Sequence, residues 1–273
     1  MPGYAIEPAG DDLAAVAGIY RDAGFRPDLV DDLRFLRDLD GEIFVCTWNG
    51  KVVGASSCLA FVRTGWIGGV AVSQAHRRRG LGRELTEVAQ RALAARGVTT
   101  SLLHATGMAR PLYERMGFRA EAEFLELHGP ALPGPAGAAP QVRPGTPNDF
   151  AAILDLDRTA TGEDRRRLLR ALWPQGGLVY DAGTVRGFAL RQTAGAAGAV
   201  IAAEPDAGEA LADAAVTGGG ILRVPMPATQ KRLRQSLERR GFREALRTTR
   251  MHLGPPPEWH ADRIFSAFNL YWG

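Results

Sequence analysis

The chain has 273 residues, 45% hydrophobic and 23% charged, with a formal net charge of +3. These values exclude a disordered chain and describe a globular protein of one or two domains, able to bury a sizeable core. So small a charge makes no case for nucleic acid, and no apolar run approaches the ~20 residues that span a bilayer. With no signal peptide ahead of the first strand, the expected location is the cytoplasm, with no membrane partner. There Cys46 and Cys58, in two neighbouring predicted strands, read as reduced buried thiols. Nearly all positive charge is arginine, since Lys51 and Lys231 are the only lysines.

In chain order, Tyr4 to Glu7 reads as a short strand. Asp11 is placed to cap a first helix running to about Gly24, with Leu13, Val16, Ile19 and Tyr20 on one face. Asp28 starts a second helix with Leu29, Leu33 and Leu36 inward. Glu42 to Trp48 alternates as a strand, and Asn49-Gly50 signals a hairpin into a long strand from Lys51 to about Val62. A turn at Arg63-Thr-Gly65 leads into a strand from Trp66 to Val72. Ser73 to Arg79 is a polar, basic turn, and from Leu81 the apolar spacing becomes helical, through Leu85, Val88 and Ala92. Val98 to Ala105 is a further strand. A helix containing Tyr113 stops at Gly117, and Phe118 to Leu127 is a strand.

The stretch from Trp66 to Leu85 has the makings of an anion cradle. The first N–H groups of a helix lack intrahelical partners and carry the positive end of its dipole. Gly80 and Gly82 let a phosphate approach the backbone, and Arg77, Arg78, Arg79 and Arg83 add charge. The bland reading of the arginine run is a solvated turn. The loop lacks the Gly-Lys-Ser/Thr ending of a nucleotide triphosphatase and the Gly-x-Gly-x-x-Gly of a dinucleotide fold. Arg77-x-x-Gly80-x-Gly82 resembles the Arg/Gln-x-x-Gly-x-Gly/Ala signature of the GNAT superfamily of N-acetyltransferases. The strand end Val70-Ala71-Val72 precedes it, and Tyr113-Glu-Arg-Met-Gly117-Phe118 follows where that family places its Tyr-x-x-x-Gly-Phe. The resemblance covers roughly residues 4 to 128 and implies an α/β fold, a mixed and mostly antiparallel sheet flanked by helices.

The resemblance also implies chemistry. Acetyl-CoA would be the co-substrate, with no metal, held by Val70, Ala71, Val72, Arg77, Arg78, Arg79, Gly80, Leu81, Gly82 and Arg83. Its pantetheine arm would pair with Val70 and Val72 as an added strand. The acetyl group would pass directly to a small-molecule or peptide amine, with an N–H near Val72 stabilising the oxyanion. Tyr113 would be the general acid toward the leaving thiolate; the alternative is a packed aromatic, with Leu112 the better core residue. The strand positions that carry a carboxylate in many relatives are here Trp66, Gly68 and Gly69, so the base is left open. His104, in the strand facing the cofactor strand, is a candidate base or a hydrogen-bonded core residue, and His76 is expected to be exposed. Asp28, Asp31, Asp32, Asp38, Asp40 and Glu42 crowd the region that borders the acceptor site in such folds. They suggest a cationic acceptor or else a solvated helix face.

Gly129 to Pro140 is rich in Pro and Gly and reads as a linker. Beyond it the chain starts again. Val142-Arg-Pro144 echoes Ile6-Glu-Pro8, Gly183-Thr-Val-Arg-Gly187 echoes Gly50-Lys-Val-Val-Gly54, and Glu238-Arg-Arg-Gly241-Phe242-Arg243 echoes Glu114-Arg-Met-Gly117-Phe118-Arg119. Three echoes in order give two tandem GNAT-like domains: 1–129 catalytic, 130–140 linker, 141–273 a degenerate copy. In the copy, Glu204 and Asp206 stand where the basic loop would be and Leu237 stands at the tyrosine position, so it is expected to be catalytically silent. Its aromatic tail (Trp259, Phe265, Phe268, Tyr271, Trp272) is expected to dock, and the second domain to work structurally, by covering the first domain, shaping the acceptor pocket or forming a homodimer. A functional alternative for the chain is a non-catalytic acyl-CoA-binding or regulatory module.

Overall fold

The computed structural model describes residues 3–11, 13–25, 29–130, 132, 139–190, 198–216 and 221–273. The first half runs β1 (Tyr4–Pro8), α1 (Ala14–Asp22), α2 (Leu29–Asp38), β2 (Glu42–Trp48), β3 (Lys51–Phe61), β4 (Thr64–Val72), α3 (Leu81–Ala95), β5 (Thr100–Thr106), α4 (Arg110–Arg115) and β6 (Arg119–Pro130). The second runs β7 (Val142–Pro144), α5 (Phe150–Thr161), α6 (Arg166–Leu172), β8 (Gly177–Asp181), β9 (Val185–Leu190), β10 (Val200–Ala202), α7 (Pro205–Ala215), β11 (Ile221–Pro227), α8 (Lys231–Arg239), β12 (Arg243–Leu253) and β13 (Ile264–Ser266). The sequence echoes fall on matching elements: β1 with β7, the β2–β3 hairpin with β8–β9, and α4–β6 with α8–β12.

Local chemistry explains most boundaries. Asn49 and Gly50 both take positive φ, 48° and 73°, as a two-residue hairpin turn of the right twist requires. In α3, Leu81, Leu85, Ala89 and Leu93 are buried at four-residue spacing, which presents one apolar face to the sheet. Two details differ from expectation. Asp11 does not cap α1, which begins at Ala14 with no side-chain cap; its carboxylate lies 3.6 Å from Arg37 instead. The turn before β4 falls at Val62 and Arg63, with Val62 exposed and at φ 52°. Asp28 and linker residues 131 and 133–138 lie outside the described residues.

The larger sheet draws strands from both sides of the linker. One sheet has eight strands in the order β1-β2-β3-β4-β5-β12-β6-β11, and the other five in the order β13-β10-β9-β8-β7. β12 enters between β5 and β6, antiparallel to both, with Thr248 opposite Thr106 on one side and Phe124 on the other. β6 in turn lies between β12 and β11, with Glu126 opposite Pro225. The halves thus exchange strands about an approximate two-fold through β6 and β12. A single core crosses the boundary, joining Leu33, Trp66 and Leu102 to Ile153, Phe188 and Trp272.

This exchange makes a firm prediction for residues 1–129 expressed alone. Without β12, the facing edges of β5 and β6 lose their ladder, and unpaired buried backbone groups and open edges favour aggregation. The fragment is expected to be insoluble or oligomeric by size-exclusion chromatography; a soluble, cooperatively melting monomer would contradict the shared sheet.

Candidate active site

Strands β4 and β5 are parallel neighbours only from Thr64–Trp66 against Thr100–Leu102. Past Trp66 they diverge, so Ile67–Val72 keeps its β3 bonds but has one free edge of N–H and C=O groups. An extended ligand can pair with such an edge. The β3–β4 register breaks at Gly68–Ala71, where Gly69 takes φ +60°, the geometry of a bulge built on glycine. A Cβ on Gly68 would lie 2.6 Å from the Tyr271 carbonyl oxygen and one on Gly69 2.3 Å from the Tyr20 hydroxyl, so both positions exclude a side chain.

Beyond β4 the chain makes a short 3-10 turn (Gln74–His76) and enters α3 through Gly80, at φ +82°. Arg78 also takes positive φ, 60°. The N–H groups of Leu81 and Gly82 open the helix without intrahelical acceptors, and a Cβ on Gly82 would meet only Leu112, at 3.5 Å. Of the predicted arginines, Arg77, Arg78 and Arg79 are exposed around this opening. Arg77 Nε donates to the Val72 carbonyl (3.0 Å), which ties the loop to the strand end. Arg83 turns along the helix to Glu87 at 2.7 Å. Ala71 packs in the core beside Tyr20, while Val70 and Val72 pack toward Leu81 and Leu85.

The opening between β4 and β5 leads into a cavity of about 520 Å³ whose lining includes Phe25, Gly69, His104, Tyr113, Glu126 and Tyr271. Tyr113 corrects the sequence reading: it is the buried residue of α4, 5% exposed, while Leu112 is half-buried and Met108 exposed. Its ring meets Phe118 edge-on at 5.7 Å. Burial pushes its hydroxyl up to about 12, against a hydrogen bond to Thr86 that lowers it. Thr86 in turn donates to the Gly82 carbonyl (2.7 Å), so the tyrosine is tied to the first turn of the cradle helix. His76 is also corrected: it is half-buried, its Nδ1 2.9 Å from the Tyr4 hydroxyl and its ring 5.1 Å from Trp48.

Among the described residues, Asp31, Asp32, Asp38, Asp40 and Glu42 do not line the cavity; Asp28 lies outside the described residues. Asp31 pairs with Arg34, Asp40 with Arg167 and Glu42 with Arg96. Among the described residues, Glu126 is the carboxylate that lines it, 2.6 Å from His128 Nε2. Residues far along the chain complete the wall, among them Leu246, Thr248, Leu270 and Tyr271. The aromatic tail had signalled docking, but nothing in the sequence said where it docks.

The corresponding slot of the second half, between β10 and β11, holds the chain itself. β13 pairs with β10, and the Ala267 N–H donates to Pro225 of β11 at 2.7 Å. Phe265 packs so closely on Gly208 of α7 that a Cβ there would lie 2.1 Å from the ring. The helix entry is acidic and engaged, Glu204 facing Arg186 and Asp206 facing Arg232. Leu237 is fully buried.

Comparisons with known proteins agree with this geometry. An acetyltransferase (GNAT) domain family matches residues 39–120, and a second acetyltransferase (GNAT) domain family matches residues 153–266. No match was found among curated protein sequences. A Pyrococcus horikoshii protein named as a candidate acetyltransferase superposes with a TM-score of 0.84 at 23% identity, over 100% of this chain and 97% of that one. A GCN5-related N-acetyltransferase from Sphaerobacter thermophilus gives 0.69 at 16% identity (94% and 98%). A tandem GNAT protein from the clavulanic acid biosynthesis pathway gives 0.63 at 15% (92% and 98%). At these identities the likeness is one of fold.

With one slot open and the other filled, calorimetric titration of the full chain with acetyl-CoA is expected to saturate near one equivalent. Two equivalents would mean that β13 does not block the second slot.

Proposed function

The chain belongs to the GNAT acetyltransferase family in both halves, and from that premise we propose that its first half moves an acetyl group from acetyl-CoA to an amine while its second half is catalytically silent. The observation that carries this reading is the continuity of three features: the free edge of β4, the glycine-lined start of α3, and the cavity that holds Tyr113. None of the three is found among the described residues of the second half, where β13 fills the slot and carboxylates face the helix entry.

The residues fit this co-substrate. Val70 and Val72 offer backbone groups to a pantetheine arm. The N–H groups at Gly80 to Gly82, with Arg77 to Arg79 around them, suit a pyrophosphate. An acyl group at the end of that arm lies where β4 and β5 part, open to an amine from the side of Phe25 and Tyr271. An N–H on the free edge of β4 can bond the developing oxyanion. Tyr113, its hydroxyl held near 12, is fully protonated at neutral pH and acts as hydrogen-bond donor to the leaving sulfur. The acceptor meets a largely apolar wall with Glu126 as its carboxylate, which favours a small amine with an apolar body over an acidic one.

Two substitutions test the reading. Gly82→Asp has room for its side chain but sets negative charge against the pyrophosphate. It is expected to weaken acetyl-CoA at least tenfold, about 1.4 kcal/mol, with thermal stability retained; unchanged affinity by calorimetry would refute the cradle. Tyr113→Phe is expected to lower kcat by roughly 10² with acetyl-CoA affinity nearly intact. A variant with wild-type turnover would make Tyr113 a packing residue. Binding without transfer to any primary amine would favour the regulatory alternative.

A further inference from the structure

β4 carries no carboxylate at Trp66, Gly68 or Gly69, yet one reaches this strand from the other half of the chain. Glu163, between α5 and α6 and 2% exposed, accepts from Trp66 Nε1 (3.0 and 3.2 Å) and from Thr64 Oγ1 (2.8 Å). His104 lies close by, on β5 two residues past the last β4–β5 pair. Its ring stacks on Trp66, 5.3 Å between centroids at 15°, and meets Phe124 edge-on at 4.6 Å.

The two ring nitrogens of His104 face different surroundings. Nδ1 is 3.3 Å from Thr248 Oγ1, and Thr248 lines the large cavity as His104 does. Nε2 is sealed from solvent with no partner, and so is one terminal guanidinium nitrogen of Arg250. His104, Arg250 and Glu163 together line a second, small space of about 10 Å³. That is close to the minimum for a single water, and a polar void with several unsatisfied groups is where a buried water is retained.

We propose that this void holds one water linking His104 Nε2 to Glu163, and that His104, backed by this carboxylate, is the base that takes the proton from the acceptor amine. The inference rests on the first half being the transferase. Burial, and then the nearby Arg250 charge, hold the His104 imidazole well below its ordinary pKa, so it is neutral and free to accept. Burial also raises the proton affinity of Glu163, while Arg250 and Arg165 oppose that. Both arginines are engaged, Arg250 with Glu121 and Arg165 with Asp157, each at 2.6 Å.

As the amine nitrogen bonds the thioester carbon, its N–H bond breaks and the proton goes to Nδ1. The Nε2 proton passes to the water and a water proton to Glu163, so no lasting charge forms on the ring. The C–S bond then breaks. The leaving sulfur takes the Tyr113 proton; the relay then resets as Glu163 returns its proton through the water to Nε2, Nδ1 releases the amine proton to solvent and Tyr113 recovers one, so that amine and thioester become amide and thiol. The route requires the Nε2–H tautomer, with Nδ1 as acceptor.

The full-length protein can be tested without an acceptor. Imidazole 15N spectra, assigned with His104→Gln, are expected to show His104 as the Nε2–H tautomer, with an Nε2 resonance that shifts in Glu163→Gln. A high-resolution crystal structure is expected to place one water in the void. An Nδ1–H tautomer or an empty void would overturn the proposal. Kinetics supply the second arm, with acetyl-CoA and the best acceptor from putrescine, phenethylamine and glycinamide. His104→Gln is expected to lower kcat by roughly 10²–10³ and Glu163→Gln by about tenfold, with acetyl-CoA affinity within about twofold. The double variant is expected to be no worse than His104→Gln, since the two act as one unit. Undiminished turnover in His104→Gln, or fully multiplicative losses, would sink the relay and leave the transferase reading standing. Failure of the wild-type protein to bind acetyl-CoA would defeat both.

Discussion

Strands β6 and β12 each fill the gap that the other half leaves. A strand inside a sheet satisfies N–H and C=O groups on both edges, and an unpaired edge buried beside a core is costly. β12 closes β5 to β6, and β6 closes β11 to β12, so neither half completes the eight-stranded sheet with its own strands. This reciprocal pairing places Leu246 and Thr248 of the second half in the wall of the first half's cavity. It also sets Arg250 over Trp66, 5.2 Å from the ring. The proposed division of labour depends on that exchange, because the silent copy builds part of the site it does not own.

The two slots show how one fold supports opposite outcomes. In the first half, β4 and β5 part after one short parallel run, and glycines at 68, 69, 80 and 82 keep the opening clear of side chains. In the second, the corresponding opening is closed by the chain's own β13. After β13 the tail continues to the first half, where the Tyr271 carbonyl covers Gly68 and the Gly273 carbonyl accepts from Arg165 at 2.9 Å. Asn269 accepts from the Tyr271 and Trp272 N–H groups, at 2.8 Å each, and holds this turn. One segment thus seals one slot and lines the other.

Burying Glu163, Arg165, Arg250 and Asp157 between the halves carries a desolvation cost that only close pairing offsets. The pairs are close, and three aromatic rings border them: Trp66, Trp259 and Phe124. Such a cluster is poor evidence for stability alone. It lies directly behind His104, on the wall where the sequence offers no carboxylate of its own, and that position gives it a chemical use.

The sequence by itself determined what depends on short spacing. The arginine and glycine pattern before Leu81, the Asn-Gly hairpin, the helix stop at Gly117 and the three echoes in the second half are local, and each element formed where those signals stand. The loss of the basic loop after β10 was legible for the same reason. Which of two adjacent apolar residues on α4 would be buried was not, since a helical period leaves Leu112 and Tyr113 on neighbouring faces and only packing against Phe118 selects one. Nor was it legible which arginines the acids around α2 would meet, because crowding along a helix does not choose partners. Tertiary structure alone decided the strand exchange, the path of the tail and the placing of His104 and Glu163 on one small space. These meetings join residues from about sixty to more than a hundred positions apart, and no periodicity within either segment encodes its partner.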